Sequence, residues 1–184
     1  ERKSIVDALL QKTNLWDARN RNLGGFSGRM KQRFGIAQAL LANPKLIIVD
    51  EPTAGLDPAE RNRFLNLVAE IGENVVVILS THIVDDVSVL GPLMAVISEG
   101  KILLRGAPSD LIQATRGRIW TKTIDRDALA AHRERHEIIS SRLFAGRTII
   151  HVLADSDPGD GFAPEEGGPE DVYFSTLAQS RRAA

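Results

Sequence analysis

The amino-acid sequence predicts an α/β fold, in which part of a parallel sheet is followed by a small α/β appendage at the carboxyl end. Two apolar runs, at residues 46–49 and 75–79, have the length and residue types of strands buried on both faces. A helical pattern lies between them, and the order strand, helix, strand implies a parallel crossover connection. With 184 residues, the chain is long enough for one compact domain with a small addition.

The helix between the two runs has unusually complete start signals. Asp57 is placed to cap the helix, Pro58 occupies its first position, and Glu60 is placed to complete a capping box. Apolar residues then recur at helical spacing and form the stripe that faces the core, namely Phe64, Leu67, Val68 and Ile71. This pattern predicts a helix that packs against the sheet.

The rest of the first region, residues 1–116, shows further helical and strand patterns. Ser27 is placed as the cap of a long helix that stops at Asn43 and Pro44. The other predicted elements of this region are helices at 4–12 and 84–90, strands at 93–98 and 101–105, and a short helix after Pro108.

A second region, residues 117–184, is predicted as an accessory α/β domain. Its strands are expected at 119–124, 138–143 and 147–153, with a helix at 126–136 and a last helix from Pro169. Residues 155–171 hold seven acidic side chains, four glycines, three prolines and no basic residue. That composition predicts a mobile surface loop.

Composition excludes several classes of protein. Basic and acidic side chains number 23 and 24, and this balance gives no electrostatic case for binding nucleic acid. The absence of cysteine excludes disulfide scaffolds, Cys-based zinc sites and thiol nucleophiles. The longest aliphatic run, 75–79, is far shorter than the roughly 20 residues that cross a bilayer. Because the chain starts at Glu1 without a signal-type stretch, we expect it to be part of a longer polypeptide.

Two adjacent carboxylates, Asp50 and Glu51, follow the first apolar run directly. Ligands of open parallel sheets bind beyond the carboxyl ends of the strands, so these side chains stand where a reaction site is expected. Such a pair could hold a hard cation such as Mg²⁺ and polarise a water molecule. The alternative is that both residues merely cap a turn before Pro52.

Two further residues fit a site at the same sheet edge. His82 follows the second apolar run, so its imidazole is expected near the carboxylates, whereas His132, His136 and His151 have no such placement. Ser27 and the exposed N–H groups at the start of its helix could bind an anion, although most starts of this kind are only caps.

Taken in order, these motifs resemble the nucleotide-binding cassette of ABC transporters over residues 1–115. Residues 26–32 resemble the signature motif, 46–51 the Walker B strand, and 54–57 the D-loop, while His82 falls at the switch histidine. The fold class is then a partial P-loop NTPase-type parallel sheet with its signature helix. The carboxyl-terminal region is similar to the tails of bacterial ATPase subunits in drug-export and sodium-export systems.

The resemblance implies ATP and Mg²⁺ as cofactors and gives each matching residue a role. Asp50 would hold Mg²⁺, Glu51 would be the general base that orients the attacking water, and His82 would contact the γ-phosphate. Ser27 and Gly28 would bind the γ-phosphate of ATP held by a second cassette in a head-to-tail dimer, and Asp57 would communicate between the two cassettes. Transmembrane permease subunits would be the other partners and would hold the protein on the cytoplasmic face of the cell membrane.

Two departures from the family pattern limit what the chain is expected to do alone. Arg29 stands where the signature has a second glycine, and no G-x-x-x-x-G-K-[ST] P-loop is present. The expected function is therefore the carboxyl-terminal part of an export-type ABC ATPase that does not hydrolyse ATP by itself. The alternatives are a non-catalytic partner that supplies its signature helix to an intact cassette, an ABC ATPase outside transport, and an inert truncation product.

Overall fold

The computed structural model describes residues 2–183, with the backbone alone for Ser88, Leu90 and Ala183. The chain divides by its internal contacts into two compact units, the first ending at Asp86 and the second beginning at Val87. The domain boundary between residues 116 and 117 rests on sequence pattern and stays a prediction.

The first unit alternates helices with two strands, much as the sequence predicts. Its elements are α1 (Arg2–Lys12), α2 (Gly28–Leu40), β1 (Leu46–Asp50), α3 (Pro58–Gly72) and β2 (Val76–Ser80), and α4 (Val84–Leu90) begins within it. Ser27 caps α2 by accepting the N–H of Met30, and Asp57 caps α3 by accepting the N–H of Glu60. Both predicted caps are confirmed. The Glu60 carboxylate contacts Arg33 and Arg63.

Strands β1 and β2 pair in parallel, with Asp50 opposite Ser80 at their carboxyl ends. On one face Ile47 is buried. The predicted apolar stripe of α3 is buried as well, together with Leu65, the stripe being Phe64, Leu67, Val68 and Ile71. The other face is exposed, with Leu46, Ile48, Val76 and Ile78 in contact with solvent. The prediction that both runs are buried on both faces is therefore wrong, because only one layer covers the two-stranded sheet.

The second unit contains two antiparallel sheets. Strands β3 (Met94–Ser98) and β4 (Lys101–Gly106) form a hairpin, and the larger sheet has the order β6-β7-β5-β8. The remaining elements are α5 (Pro108–Gln113), β5 (Ile119–Ile124), α6 (Leu129–Arg135), β6 (Ile138–Phe144), β7 (Arg147–Leu153), β8 (Ala163–Pro164) and α7 (Pro169–Ala183). The core of the larger sheet consists of Ile124, Ile150, Val152 and Phe162.

The surface loop predicted at 155–171 is mostly irregular backbone and is largely exposed over 155–161, and its mobility stays a prediction. Several contacts nevertheless anchor it. Phe162 is buried in the core of the larger sheet, and β8 pairs with β5. Asp160 lies 3.2 Å from Nζ of Lys122 and 3.4 Å from a guanidinium nitrogen of Arg135. The acidic composition suggested mobility because the cations that bind this segment come from distant parts of the sequence.

Over residues 2–183, no helix combines the length and apolar character that crossing a bilayer requires.

Candidate functional site

The carboxyl ends of β1 and β2 bring Glu51 and His82 together. Oε2 of Glu51 lies 2.6 Å from Nδ1 of His82, close to the ring but outside hydrogen-bonding geometry. The N–H of Glu51 donates to the carbonyl of Ser80 at 3.0 Å, which extends the parallel pairing by one residue. Glu51 adopts a left-handed backbone conformation with φ of 46°, so the chain turns sharply at the end of the strand.

Asp50 lies beside this pair and is held by the neighbouring strand. Its Oδ1 accepts a hydrogen bond from the Ser80 hydroxyl, across the register that aligns the two residues. The carboxylates of Asp50 and Glu51 therefore belong to one sheet edge, with a hydroxyl oxygen between the strands. Sequence analysis did not single out Ser80, although its position directly before Thr81 and His82 is the signal that could have identified it.

These oxygens suit Mg²⁺ as a metal that keeps most of its water. Mg²⁺ is bound in proteins through one or two carboxylates together with substrate phosphates and water. Asp50 offers a carboxylate, and the described residues contain no group of three or more His, Cys, Asp or Glu side chains that could enclose a metal. The chemistry of the donor set therefore fits a Mg²⁺ ion completed by phosphate and water, and does not fit an all-protein metal cage.

The signature helix α2 is attached to the same edge by a side chain. Nε2 of Gln32 donates to the carbonyl of Pro52 at 2.5 Å, directly after Glu51. Ser27 and Gly28 lie at the start of this helix, where Ser27 already accepts the N–H of Met30 at 3.2 Å. The serine hydroxyl can still donate a hydrogen bond while its oxygen serves as the cap.

Arg29 and Asp57 form an ion pair between the starts of α2 and α3. Nη1 of Arg29 lies 2.5 Å from Oδ2 of Asp57. The hydrogen bond from the Glu60 N–H, together with the Arg29 charge, holds the pKa of Asp57 below its usual value. Arg29 is thus directed at Asp57 within its own unit, and both side chains remain partly exposed to solvent.

A cavity of about 310 Å³ adjoins these helix starts. Its cationic side chains each have a carboxylate partner within 3.2 Å, the pairs being Lys12 with Glu70, Arg29 with Asp57, and Arg33 and Arg63 with Glu60. Three carboxylates thus pair with four cations and compensate most of this charge, so the cavity is a weak candidate for an anion site. The sheet edge at Asp50, Glu51 and His82 is the better candidate.

Known proteins resemble this chain in both sequence and fold. The family model described as ABC transporter matches residues 1–54. An ABC transporter ATP-binding protein of Bacillus subtilis, itself described as uncharacterized, is 34% identical over 65% of this chain and 40% of its own length. The Nod factor export ATP-binding protein I of Burkholderia pseudomallei is 33% identical over 94% of this chain and 60% of its own length. The chain thus spans less than two thirds of these relatives.

A solved structure gives the same result for the fold. The cbiO1 protein of Clostridium perfringens, described as part of the ABC transporter complex cbiONQ, is similar with a TM-score of 0.56 and 31% identity. The similarity covers 60% of this chain and 45% of that protein. Sequence relatives and fold agree with the order of the motifs, and the chain belongs to the family of ABC transporter ATP-binding domains.

Proposed function

We propose that this chain is the carboxyl-terminal part of an ATP-hydrolysing subunit of an export-type ABC transporter. The observation that carries the proposal is the 2.6 Å approach of Glu51 to His82 at the carboxyl ends of two parallel strands. The relative from Burkholderia pseudomallei, which aligns with 94% of this chain, is named for export of Nod factor. Permease subunits in the membrane and a second cassette are the partners that the proposal requires.

Glu51 would serve as the base that orients and deprotonates the attacking water. Its Oε2 is buried and has no hydrogen-bond partner among the described residues, so it is an unused acceptor to which a water molecule admitted with the nucleotide could donate. His82 is largely exposed beside it and can offer an N–H to a phosphate oxygen. Asp50 would hold Mg²⁺, which supplies positive charge to the phosphates.

The chain by itself is proposed to bind MgATP poorly. The P-loop supplies the backbone N–H groups and the lysine that hold the β- and γ-phosphates, and its pattern is absent from this sequence. Isothermal titration of the purified chain with MgATP should therefore give little or no binding. A dissociation constant in the low micromolar range would contradict this part of the proposal.

A second candidate function is that of a non-catalytic partner, which presents Ser27 and Gly28 to ATP bound by another cassette. It is supported by the formed signature helix, capped by Ser27 and tied to Pro52 through Gln32. Mixing the chain with a P-loop-bearing cassette and measuring ATPase stimulation separates the two candidates. If the chain is a non-catalytic partner, its Glu51→Gln variant would stimulate the other cassette as well as the unmodified chain does, and its Gly28→Trp variant would stimulate poorly. If it is part of a catalytic subunit, Glu51→Gln would abolish turnover once a P-loop-bearing part is joined to the chain.

A further inference from the structure

Asp86 is a buried carboxylate that the proposed reaction does not use. Its side chain is 0% exposed, and each of its oxygens has one partner. Oδ1 accepts from Nε of Arg61 at 2.5 Å, and Oδ2 accepts from the hydroxyl of Thr53 at 2.5 Å. Burying a carboxylate in this way is costly unless it is paired and hydrogen-bonded, and the contacts with Arg61 and Thr53 offset that cost.

The two partners come from the segments that follow the other motifs. Thr53 lies two residues after Glu51, Asp86 lies four residues after His82, and Arg61 lies in α3 four residues after Asp57. The buried Asp86 carboxylate therefore joins three parts of the unit. They are the segment that follows Glu51 in sequence, the segment that follows His82, and the first turns of α3.

Short hydrogen-bonded turns connect the Asp86 segment and the Thr53 segment to the site. The N–H of Asp86 donates to the carbonyl of Ile83 at 3.1 Å, and the N–H of Ile83 donates to Oγ1 of Thr81 at 3.0 Å. On the other strand, the N–H of Ala54 donates to the carbonyl of Glu51 at 3.3 Å. A shift of the Asp86 contacts would therefore be passed to His82 and Glu51.

We propose that Asp86 is a positioning residue, which fixes His82 against Glu51 by binding Thr53 and Arg61. It does not touch the site and acts through the two turns. His82 is 72% exposed on its side chain, so packing alone does not hold the ring in one orientation. The importance of this arrangement for turnover rests on the proposed function, whereas the arrangement itself can be measured without nucleotide.

The test is nuclear magnetic resonance on the whole 184-residue chain with labelled histidine and glutamate. In the unmodified chain, ring protons of His82 should show a nuclear Overhauser effect to the side-chain methylene protons of Glu51. In Asp86→Asn, which keeps the size of the side chain but removes its charge, this effect should fall at least fivefold. The melting temperature is recorded for each variant.

A matched pair of variants keeps the test decisive if Asp86→Asn does not fold. Thr53→Val removes the hydroxyl donor at nearly constant shape, and Thr53→Ser retains it. The proposal expects Thr53→Val to lose the His82 to Glu51 effect and Thr53→Ser to keep it. Leu67→Ala, in the buried stripe of α3, lowers stability without removing either contact and should keep the effect.

The proposal is overturned if Asp86→Asn or Thr53→Val folds and retains the effect, because Asp86 would then only stabilise the unit. It is also overturned if Leu67→Ala loses the effect to the same degree at equal loss of stability. Neither result depends on ATP. If the proposed function is wrong, ATP hydrolysis by a protein that joins this chain to a P-loop-bearing part would not depend on Glu51. The nuclear Overhauser effects would be unchanged in that case.

Discussion

The sheets of the two units differ in how completely they are covered. In the second unit, Ile119 and Ile150 of the larger sheet are 0% exposed, and the sheet has a core of its own. In the first unit, Ile48 and Val76 are 70% and 64% exposed on the face of the sheet opposite α3. Both sheets are built from the same kinds of β-branched residue, so the difference lies in what packs against them.

The unit with the candidate site therefore has a sheet that is covered on one face only, whereas the larger sheet of the other unit has a complete core. Parallel sheets are normally covered on both faces. We therefore expect further structure to cover the open face of β1 and β2 when the ATP site is complete, and we expect the larger sheet of the second unit to need none. The residues of the candidate site, Asp50, Glu51 and His82, all belong to the incompletely covered unit.

The largest expected difference in stability is between alanine substitutions at Ile150 and at Ile48. Ile150→Ala removes a fully buried side chain and should destabilise the second unit by about 2 to 5 kcal/mol. Ile48→Ala removes a side chain that is mostly in water and should cost less than about 1 kcal/mol. Amide hydrogen exchange, followed by mass spectrometry on peptides from β7 and β1, measures each unit separately. Equal costs at the two positions would show that the face of Ile48 is already covered in solution.

Replacing Gly167 or Gly35 with alanine should change stability in opposite directions. A Cβ at Gly167 would lie 2.3 Å from Oγ1 of Thr115, so Gly167→Ala forces a displacement and should cost about 1 to 3 kcal/mol in the second unit. A Cβ at Gly35, in the middle of α2, would meet nothing within 4 Å. Gly35→Ala should therefore stabilise the first unit by about 0.5 to 1 kcal/mol. Thermal denaturation of both variants checks the two signs, and a stabilising Gly167→Ala would contradict the close packing at Thr115.

The third effect is a pH dependence from one ion pair of the second unit. Nδ1 of His151 donates to Oδ1 of Asp171 at 2.8 Å, and this bond raises the pKa of His151 above its ordinary value of 6.5. Burial alone would raise the pKa of Asp171, but the bonds from His151 and the Gly168 N–H lower it overall. The pair should stabilise α7 by about 1 kcal/mol.

Because the folded pKa of His151 is the higher one, its contribution is complete below pH 6.5 and is lost as pH rises through the raised value. The Asp171 contribution is lost at the acid end, as pH falls through its lowered pKa. Melting curves of the chain between pH 6 and 9 should show this loss, and His151→Gln should remove it. A His151→Gln chain with an unchanged pH profile would assign the dependence to another group.

Local signals in the sequence predicted the helix starts and the meeting of side chains at the strand ends. Asp57 and Ser27 cap their helices because a capping bond spans only three residues, and Glu51 and His82 meet because parallel strands align their ends. The exposure of Ile48 could not be predicted, since burial depends on which layers pack against the strand. The contacts of Asp160 and Asp86 were missed because their partners are remote in sequence. The pairing of Arg29 with Asp57 was missed for the same reason.

The central claim is that Glu51, positioned beside His82, is the base of an ATPase site. The most direct measurement joins a P-loop-bearing amino-terminal part of an ABC ATPase to this chain and compares ATP hydrolysis by the fusion protein with that of its Glu51→Gln variant. The account predicts that turnover falls at least about 100-fold in the variant while MgATP binding is retained. Equal turnover in the two proteins, or a fusion protein that binds MgATP without hydrolysing it, would contradict the account.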